Sequence, residues 1–153
     1  MERLDRILAE HPFFRGMEES HLRQLAGCAS NVRFEADECL FREDEEANHF
    51  YLIRQGRVAI EIHTPERGSL ILQTVGEGQV IGWSWLVPPH EWRFDGRAVQ
   101  FTRAIALDGE CLRRKCDADH DLGYQLLMRF AIVIAERLEA ARLQLINIHG
   151  PLD

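Results

Sequence analysis

The sequence predicts an α+β fold, in which a β jelly roll follows short N-terminal helices and precedes a long C-terminal helix. Short segments of alternating apolar and polar residues, separated by turn residues, occupy the middle of the chain. Both ends of the chain instead carry apolar residues at helical spacing. We therefore expect one domain, with N-terminal helices at 1–31, a β-roll at 32–112 and a C-terminal helical segment at 113–150.

The N-terminal helices come first. Leu4, Ile7 and Leu8 recur at helix spacing, and the segment His11–Phe14 contains a proline that ends this helix. A second short helix is predicted over 18–29, with Leu22, Leu25 and Ala26 on one face. We expect the aromatic elbow between the helices to pack against a sheet rather than to contact a ligand.

The β-roll follows. Val58, Ile60 and Ile62 alternate with polar residues, whereas the segment Phe50–Ile53 is continuously apolar and suits a strand that is buried on both faces. Turn residues at 54–57, 64–68 and 76–78 separate the strands. Strands this short and closely spaced indicate a sandwich or jelly roll rather than βαβ units. The acidic segment 42–46 is predicted to be a solvated turn and not a calcium loop.

One long helix is predicted over 122–148, ended by Gly150 and Pro151. Its apolar residues repeat in a 4-3 pattern, which is a heptad seam about 30 Å long. The seam consists of Leu127, Ala131, Ile134, Leu138, Ala141, Leu145 and Ile148. A second stripe, Leu126, Phe130 and Val133, faces another direction. We predict that the second stripe packs on the β-roll and that the seam forms a homodimer; the alternative is that one protomer buries both.

Composition excludes several classes of function. A net charge of −7 and a pI near 5.5 argue against nucleic-acid binding, which needs a clustered basic surface. The sequence has neither an apolar run of about 18 residues nor a signal-peptide core. We therefore expect a cytoplasmic protein that binds neither DNA nor membranes.

The cysteines and histidines predict no metal site. Cys28, Cys39, Cys111 and Cys116 form no C-x-x-C pair, so we expect reduced structural thiols. The seven histidines show no metal-ligand spacing and are predicted to lie at the surface or its boundary. The sequence also shows no nucleophile elbow, no P-loop and no paired carboxylates in a glycine-bounded pocket, and we therefore predict a protein that is not an enzyme.

The most informative segment is Gly76–Leu86, with the sequence GEGQVIGWSWL. Glycines at the end of a strand let backbone amides approach an anion, and a short helix predicted after them would add its positive end. Together with FYLIRQGRV at 50–58 and Arg97–Ala98 before the last strand, this segment resembles the cyclic nucleotide-binding domains of the catabolite activator and FNR-like family. The resemblance covers nearly the whole chain and implies that 76–98 is a phosphate-binding cassette.

The resemblance also implies a set of ligand-binding positions. In nucleotide-binding members a glutamate after the cassette glycine accepts a ribose hydroxyl, and an arginine about ten residues later pairs with the cyclic phosphate. Trp83 follows Gly82 here and cannot accept that hydrogen bond. Counting forward places Arg93 at the phosphate-pairing position, whereas counting back from Arg97 places Trp92 there. The candidate ligand-binding residues are Gly76, Glu77, Gly82, Trp83, Ser84, Arg93, Arg97 and Ala98.

The missing glutamate predicts weak or absent binding of cyclic AMP and cyclic GMP, since one charge-assisted hydrogen bond is worth about 1.5–3 kcal/mol. Trp83, Trp85 and Trp92 either stack on a planar ligand or fill the pocket as core. A haem bound by His90 or His63, as in a gas-sensing relative of this family, lacks an identifiable second ligand.

Two functions follow from the resemblance. The family's transcription factors continue into a helix-turn-helix domain, for which no segment follows Asp153 in this sequence. The first function is therefore a ligand-sensing regulatory module whose output is protein–protein contact. The second is an accessory subunit of a larger redox enzyme, as in some NAD-reducing hydrogenases. In that case a nicotinamide nucleotide, NAD(P)H, would place a phosphate on Arg93 or Arg97.

Overall fold

In the chain, the strands of two antiparallel sheets follow short N-terminal helices and precede a C-terminal helical pair. The computed structural model describes residues 3–149, with side chains to Ile148. The helices are α1 (Leu4–Glu10), α2 (Glu19–Ala26), α3 (Gly109–Ala118) and α4 (His120–His149), with a 3-10 turn at Pro12–Phe14. The strands are β1 (Ala29–Phe34), β2 (Cys39–Phe41), β3 (His49–Gln55), β4 (Arg57–Thr64), β5 (Gly68–Gly76), β6 (Val80–Ile81), β7 (Asp95–Ala98) and β8 (Thr102–Asp108).

The strand order is that of a roll, which confirms the predicted fold class. One sheet has the order β1-β8-β3-β6 and the other has the order β2-β7-β4-β5, with all pairs antiparallel. The longest ladder joins β4 to β5, from Arg57 opposite Gly76 to Thr64 opposite Gly68. β5 is an edge strand of its sheet, so one of its two sides has no neighbouring strand and is free to contact another element.

The core has two layers that share strand β3. Phe50 and Leu52 face the helices, whereas Tyr51 and Ile53 face the interior between the sheets. All four side chains are buried, as the continuous apolar run predicts. The helical layer contains a cluster of aromatic rings in which Phe130 of α4 lies 4.9 Å from both Phe13 and Phe50, measured between ring centroids.

Among the residues whose burial is described, two histidines are buried, which corrects the prediction that the histidines lie at the surface or its boundary. His11 is 7% exposed; its Nε2 lies 3.2 Å from the carbonyl oxygen of Ile53, and its Nδ1 accepts a hydrogen bond from the backbone N–H of Phe13. These partners assign the proton to Nε2, and burial lowers the pKa of His11. His21 is also buried, with Nε2 at 3.8 Å from Asp119. The burial of these two rings was not evident from the sequence pattern.

The helical segment begins earlier than its predicted start at 113. β8 ends at Asp108, whose carboxylate accepts a hydrogen bond from the N–H of Cys111 and caps α3. The 30-residue α4 then runs from His120. The predicted end at Gly150 and Pro151 lies outside the described residues.

A disulfide joins Cys28 and Cys111, so the expectation of four reduced thiols is wrong. The two residues are 83 positions apart in sequence, with Cα atoms at 5.8 Å. Cys39 and Cys116 are free thiols. Spacing in the sequence gave no sign of this bond, because it depends on the start of β1 meeting the first turn of α3.

Candidate functional site

In the glycine turn after β5, the backbone amides of Gly76, Gly78 and Gln79 donate hydrogen bonds within the protein. The N–H of Gly76 donates to the side-chain oxygen of Gln79 at 2.7 Å, and the N–H of Gly78 donates to the carbonyl of Ile53 at 3.0 Å. The N–H of Gln79 returns to Gly76 at 3.1 Å. Glu77 is exposed on this turn. The turn fastens β5 to β3, and these three amides are already used within the protein.

No helix follows Gly82, which corrects the short helix predicted there. Residues 84–86 form a turn in which the N–H of Leu86 donates to the carbonyl of Trp83 at 2.9 Å. Ser84 is 6% exposed within that turn. The positive end of a helix dipole is therefore missing from the place where an anion would be held.

Trp92 occupies the space beside Gly82. Gly82 has a φ of 102°, and a Cβ at this position would lie 2.7 Å from the Trp92 ring. The ring is 3% exposed and stacks on Phe41, with centroids 3.6 Å apart and planes 6° from parallel. Trp92 is thus part of the core between the two sheets, in contact with the backbone of Gly82.

Trp85 is core as well, but in the helical layer. It is fully buried, 5.4 Å from the Phe50 ring and 5.6 Å from the Phe130 ring. Arg113 of α3 donates to its backbone carbonyl. The third tryptophan, Trp83, is only half-buried and faces α4.

Neither of the two candidate arginines lines the cavity or the cleft described below. Arg93 is exposed. Arg97 on β7 donates twice to one oxygen of Glu61, at 2.6 and 2.9 Å, and once to Asp37 at 3.0 Å. The Glu61 hydrogen bonds are the main cause of the raised pKa of Arg97. Glu61 is 6% exposed, so this guanidinium neutralises a buried carboxylate of the protein itself.

Ala98 belongs to the same strand and is fully buried. Its N–H donates to the carbonyl of Glu38 at 2.8 Å, and its carbonyl accepts from the N–H of Asp37 at 2.7 Å. Both backbone groups therefore close the loop between β1 and β2.

A cavity of about 370 Å³ remains between the roll and α4. Its walls are mostly apolar, and its polar groups come from Gln73, Arg137 and Gln144. The Gln144 amide donates to the carbonyl of Leu72 at 3.2 Å and ties α4 to the edge strand β5. The full lining is Ile60, Leu72, Gln73, Trp83, Phe94, Ile134, Arg137, Leu138, Ala140, Ala141 and Gln144.

Arg137 is the charged residue of this cavity. Its guanidinium lies 5.5 Å from the Trp83 ring centroid, and its Nη2 donates to the carbonyl of Val80. Its Nη1 is buried and has no hydrogen-bond partner. Burial lowers the pKa of Arg137 to about 10, so the group remains charged at neutral pH.

A wider cleft of about 720 Å³ adjoins this cavity and shares Gln73, Arg137 and Ala140 with it. Its other walls come from the N-terminal elbow, the β5–β6 turn and α4. Arg129 in this cleft donates to the carbonyls of Phe13 and Arg15, at 3.0 and 3.1 Å. Those bonds hold the elbow against α4.

Sequence reasoning missed Arg137, although a signal for it was present. Phe130 and Val133 belong to the stripe that faces the roll, and Arg137 continues that stripe four residues after Val133. A charged residue on an apolar stripe is either at its solvated end or in a polar site. Arg137 instead lies at the cavity under α4, where its guanidinium contacts the Trp83 ring and the carbonyl of Val80.

The predicted dimer seam is largely uncovered in the single chain. Leu127, Leu138, Leu145 and Ile148 are 54%, 52%, 56% and 77% exposed. Ala131 and Ala141 are exposed too, and Ile134 is half-buried at the cavity. The second stripe does pack on the body, where Leu126 and Phe130 are 2% and 1% exposed.

Comparison with known proteins agrees with the roll and its flanking helices. The model of the cyclic nucleotide-binding domain family matches residues 31–119, and the chain belongs to that family. A CRP-like cAMP-activated global transcriptional regulator of Mycobacterium tuberculosis is 27% identical over 135 residues, which cover 88% of this chain and 58% of that protein. The chain thus spans less than two thirds of the length of this relative.

Solved structures show the same fold. A cyclic nucleotide-binding protein from Geobacter metallireducens GS-15 superposes with a TM-score of 0.79 at 22% identity, covering 90% of this chain and 99% of its own. A cyclic nucleotide-binding domain from Methylobacillus flagellatus KT gives a TM-score of 0.80 at 18% identity, covering 99% and 84%. These structures agree with the fold, and the match to the family model confirms the family predicted from the glycine segment and the Phe50–Val58 segment.

Two features are absent from residues 3–149. Within that range, none of the helices is both long and apolar enough to cross a membrane. The same residues contain no cluster of histidine, cysteine and carboxylate side chains suited to hold a metal ion.

Proposed function

We propose that this domain is a non-catalytic sensing module in which the phosphate-binding cassette is degenerate and α4 carries the output to another protein. The observation that carries the proposal is Trp92, whose buried ring lies against Gly82 where a nucleotide phosphate would need space. The cavity that remains lies between the roll and α4. Its occupant would touch the helix directly.

Cyclic nucleotides are poor ligands for such a site. A cyclic phosphate needs several donors, and Arg97 is held by Glu61 and Asp37 while Arg93 is exposed. The amides of Gly76 and Gly78 are already bonded within the protein. Trp83 also replaces the ribose-binding glutamate of the family.

Isothermal titration of the purified protein with cyclic AMP, cyclic GMP and NADH tests the degenerate cassette. We expect no saturable binding with a Kd below about 1 mM for any of the three. Micromolar binding of cyclic AMP that is lost in Arg93→Ala, but kept in the exposed control Arg67→Ala, would contradict the proposal.

A second function, an accessory subunit of a larger enzyme, is favoured by the apolar surface outside the seam. Ile71 on the edge strand β5 is 58% exposed, and Leu143 and Ile146 on α4 are 53% and 60% exposed. Such a surface suits a protein partner. Co-purification of a defined partner from the native host, abolished by Ile71→Asp and Ile146→Asp, would favour this function over sensing by a free homodimer.

A further inference from the structure

A groove of about 460 Å³ lies along strands β1, β8 and β3, and its lining includes no residue of the cassette or of α4. Arg33 of β1 is directly opposite Arg103 of β8, and Gln55 of β3 is opposite Arg103 on the other side. Directly opposed residues of antiparallel strands project from the same face of the sheet. The three side chains therefore form one polar row across the sheet.

This row lies where the covering of the sheet face ends. Ile105 is two positions after Arg103 on β8, belongs to the core of the helical layer and is fully buried. Alternate residues of a strand share a face, so Arg103 continues the face that the helices cover at Ile105. Arg103 and its neighbour Arg33 are nevertheless exposed. This end of the face is therefore accessible to a partner.

The two opposed arginines have no counter-charge from the protein. Within the part of the chain that the structure describes, no ion pair includes Arg33 or Arg103, and no aspartate or glutamate lines the groove. Arg54, which is half-buried and interacts within the protein, adds a third guanidinium to the lining. Like charges directly opposite each other destabilise a sheet. In a protein with a net charge of −7, this local basic arrangement favours an anionic partner.

An aromatic ring lies beside the arginines. Phe101 immediately precedes β8, lines the groove and is 40% exposed. Arginine and aromatic residues are enriched at protein interfaces, where an exposed ring supplies apolar contact area. An occupant that combines carboxylates with an apolar side chain therefore matches the groove in both charge and polarity.

An acidic loop limits the length of the anion. Glu35, Asp37 and Glu38 follow Arg33 in the connection from β1 to β2, and all three are exposed. A nucleic acid needs a basic surface that continues along its backbone, and these carboxylates would repel it. A short acidic peptide segment needs only the groove itself.

We propose that the groove binds a short acidic segment of a partner protein, with its carboxylates on Arg33 and Arg103 and an apolar side chain on Phe101. This surface goes beyond the proposed function, which assigns the output to α4, and it does not depend on the state of the cassette. A single exposed ion pair contributes little affinity. The segment would gain specificity by meeting both guanidiniums in the fixed register of the two strands.

Fluorescence anisotropy with two labelled, end-capped peptides tests the proposal on the full chain at pH 7. One peptide is Glu-Glu-Phe-Glu-Glu, and its neutral analogue has glutamine at each glutamate position. We expect the acidic peptide to bind about 10-fold more tightly at low salt, and the preference to shrink as salt is added. The double variant Arg33→Gln, Arg103→Gln should remove the preference. The control Arg67→Gln, Arg142→Gln removes the same formal charge at exposed positions outside the groove and should keep it.

Two further measurements separate a lost site from a lost fold. Because the double variant removes a like-charge pair, it should unfold at a urea concentration no lower than that of the unsubstituted protein. A lower midpoint would contradict the electrostatic argument. Phe101→Ala keeps both arginines and should weaken the two peptides to a similar extent, leaving the preference for the acidic one.

Other anions provide the outcomes that would overturn the proposal. Equal affinity for the two peptides, or a preference that survives the double variant, would do so directly. A thymidine pentanucleotide, which carries the same number of charges, would assign the groove to nucleic acid if it bound more tightly than the acidic peptide through the same arginines. Inorganic phosphate that displaced the acidic peptide at an equal concentration would reduce the groove to a site for small anions.

Discussion

Arg97 of β7 forms an ion pair with the buried Glu61 of the neighbouring strand β4. In the sequence, Arg97 is a candidate for pairing with a ligand phosphate. In the fold, its guanidinium spans the buried Glu61 and the exposed Asp37. A buried carboxylate needs a partner that offsets its charge. Arg97 is identified as that partner through the pairing of β4 with β7, which the sequence does not show.

Substitution of Arg97 by methionine should destabilise the fold. The change leaves Glu61 buried without its counter-ion, and breaking a pair of this kind costs about 3 kcal/mol. Urea denaturation at pH 7 measures the loss. The matched control is Arg93→Met on the exposed neighbour, for which we expect a change within about 0.5 kcal/mol. Similar small effects for both variants would show that Glu61 is solvated in solution.

Trp83, Trp85 and Trp92 illustrate what residue identity alone leaves open. The sequence places all three near the cassette and allows both stacking on a ligand and burial as core. The structure divides them: Trp85 lies in the helical layer, Trp92 lies between the sheets, and Trp83 lies on the remaining cavity. Which face a side chain takes after a glycine with positive φ depends on tertiary packing, and no pattern in a single sequence encodes it.

At the scale of elements, the sequence predicts the presence and type of the main strands and helices. The run Phe50–Ile53 predicts a strand that is buried on both faces, and β3 is that strand. The periodicity that predicts α4 is also clear. The boundaries of elements are harder to predict. α3 begins at Gly109 because Asp108 caps it, and in the sequence this cap resembles an ordinary turn.

The disulfide between Cys28 and Cys111 ties two such elements together. It links the residue before β1 to the first turn of α3, across 83 positions of sequence. Closing so long a loop restricts the unfolded chain, and native disulfides typically add about 2–4 kcal/mol of stability. We therefore expect the double variant Cys28→Ala, Cys111→Ala to unfold at a lower urea concentration than the oxidised protein.

Dithiothreitol provides the internal control for this prediction. Reductant should lower the midpoint of the unsubstituted protein toward that of the double variant, and it should leave the double variant unchanged. A midpoint that does not respond to reductant, together with two further titratable thiols in the unfolded protein, would show that the bond does not form.

At the scale of the whole molecule, the main feature is a helix that extends beyond its support. Leu122, Leu126 and Phe130 are buried against the roll, whereas every residue from Leu138 to Ile148 is exposed. A line of exposed leucine and isoleucine at heptad spacing is typical of a coiled-coil partner. The homodimer remains a prediction. The same heptad pattern also predicts which residues of the two helices would face each other.

Two leucines on α4 offer a matched test of the dimer. Leu145 belongs to the seam, Leu143 points to the opposite side of the helix, and the two are 56% and 53% exposed. Leu145→Glu should convert the dimer to a monomer in light scattering, since it places a charge in the apolar interface. Leu143→Glu should stay dimeric. Two dimeric variants would contradict the heptad seam, and two monomeric ones would indicate a broader interface.

Because only part of α4 packs on the rest of the protein, the free energy of local opening differs along the helix. Amides in its first three turns are held by the core and open only when that core opens, whereas those after Gln144, whose side chain binds the carbonyl of Leu72, lie beyond this contact and depend on local fraying. Fraying of an unsupported helical end has a free energy close to zero. Whatever covers the distal turns, a second copy or a ligand-bound neighbour, would therefore register as slowed hydrogen exchange in that segment and nowhere else. Hydrogen exchange in the distal turns of α4 would therefore report whether the protein is associated with a partner.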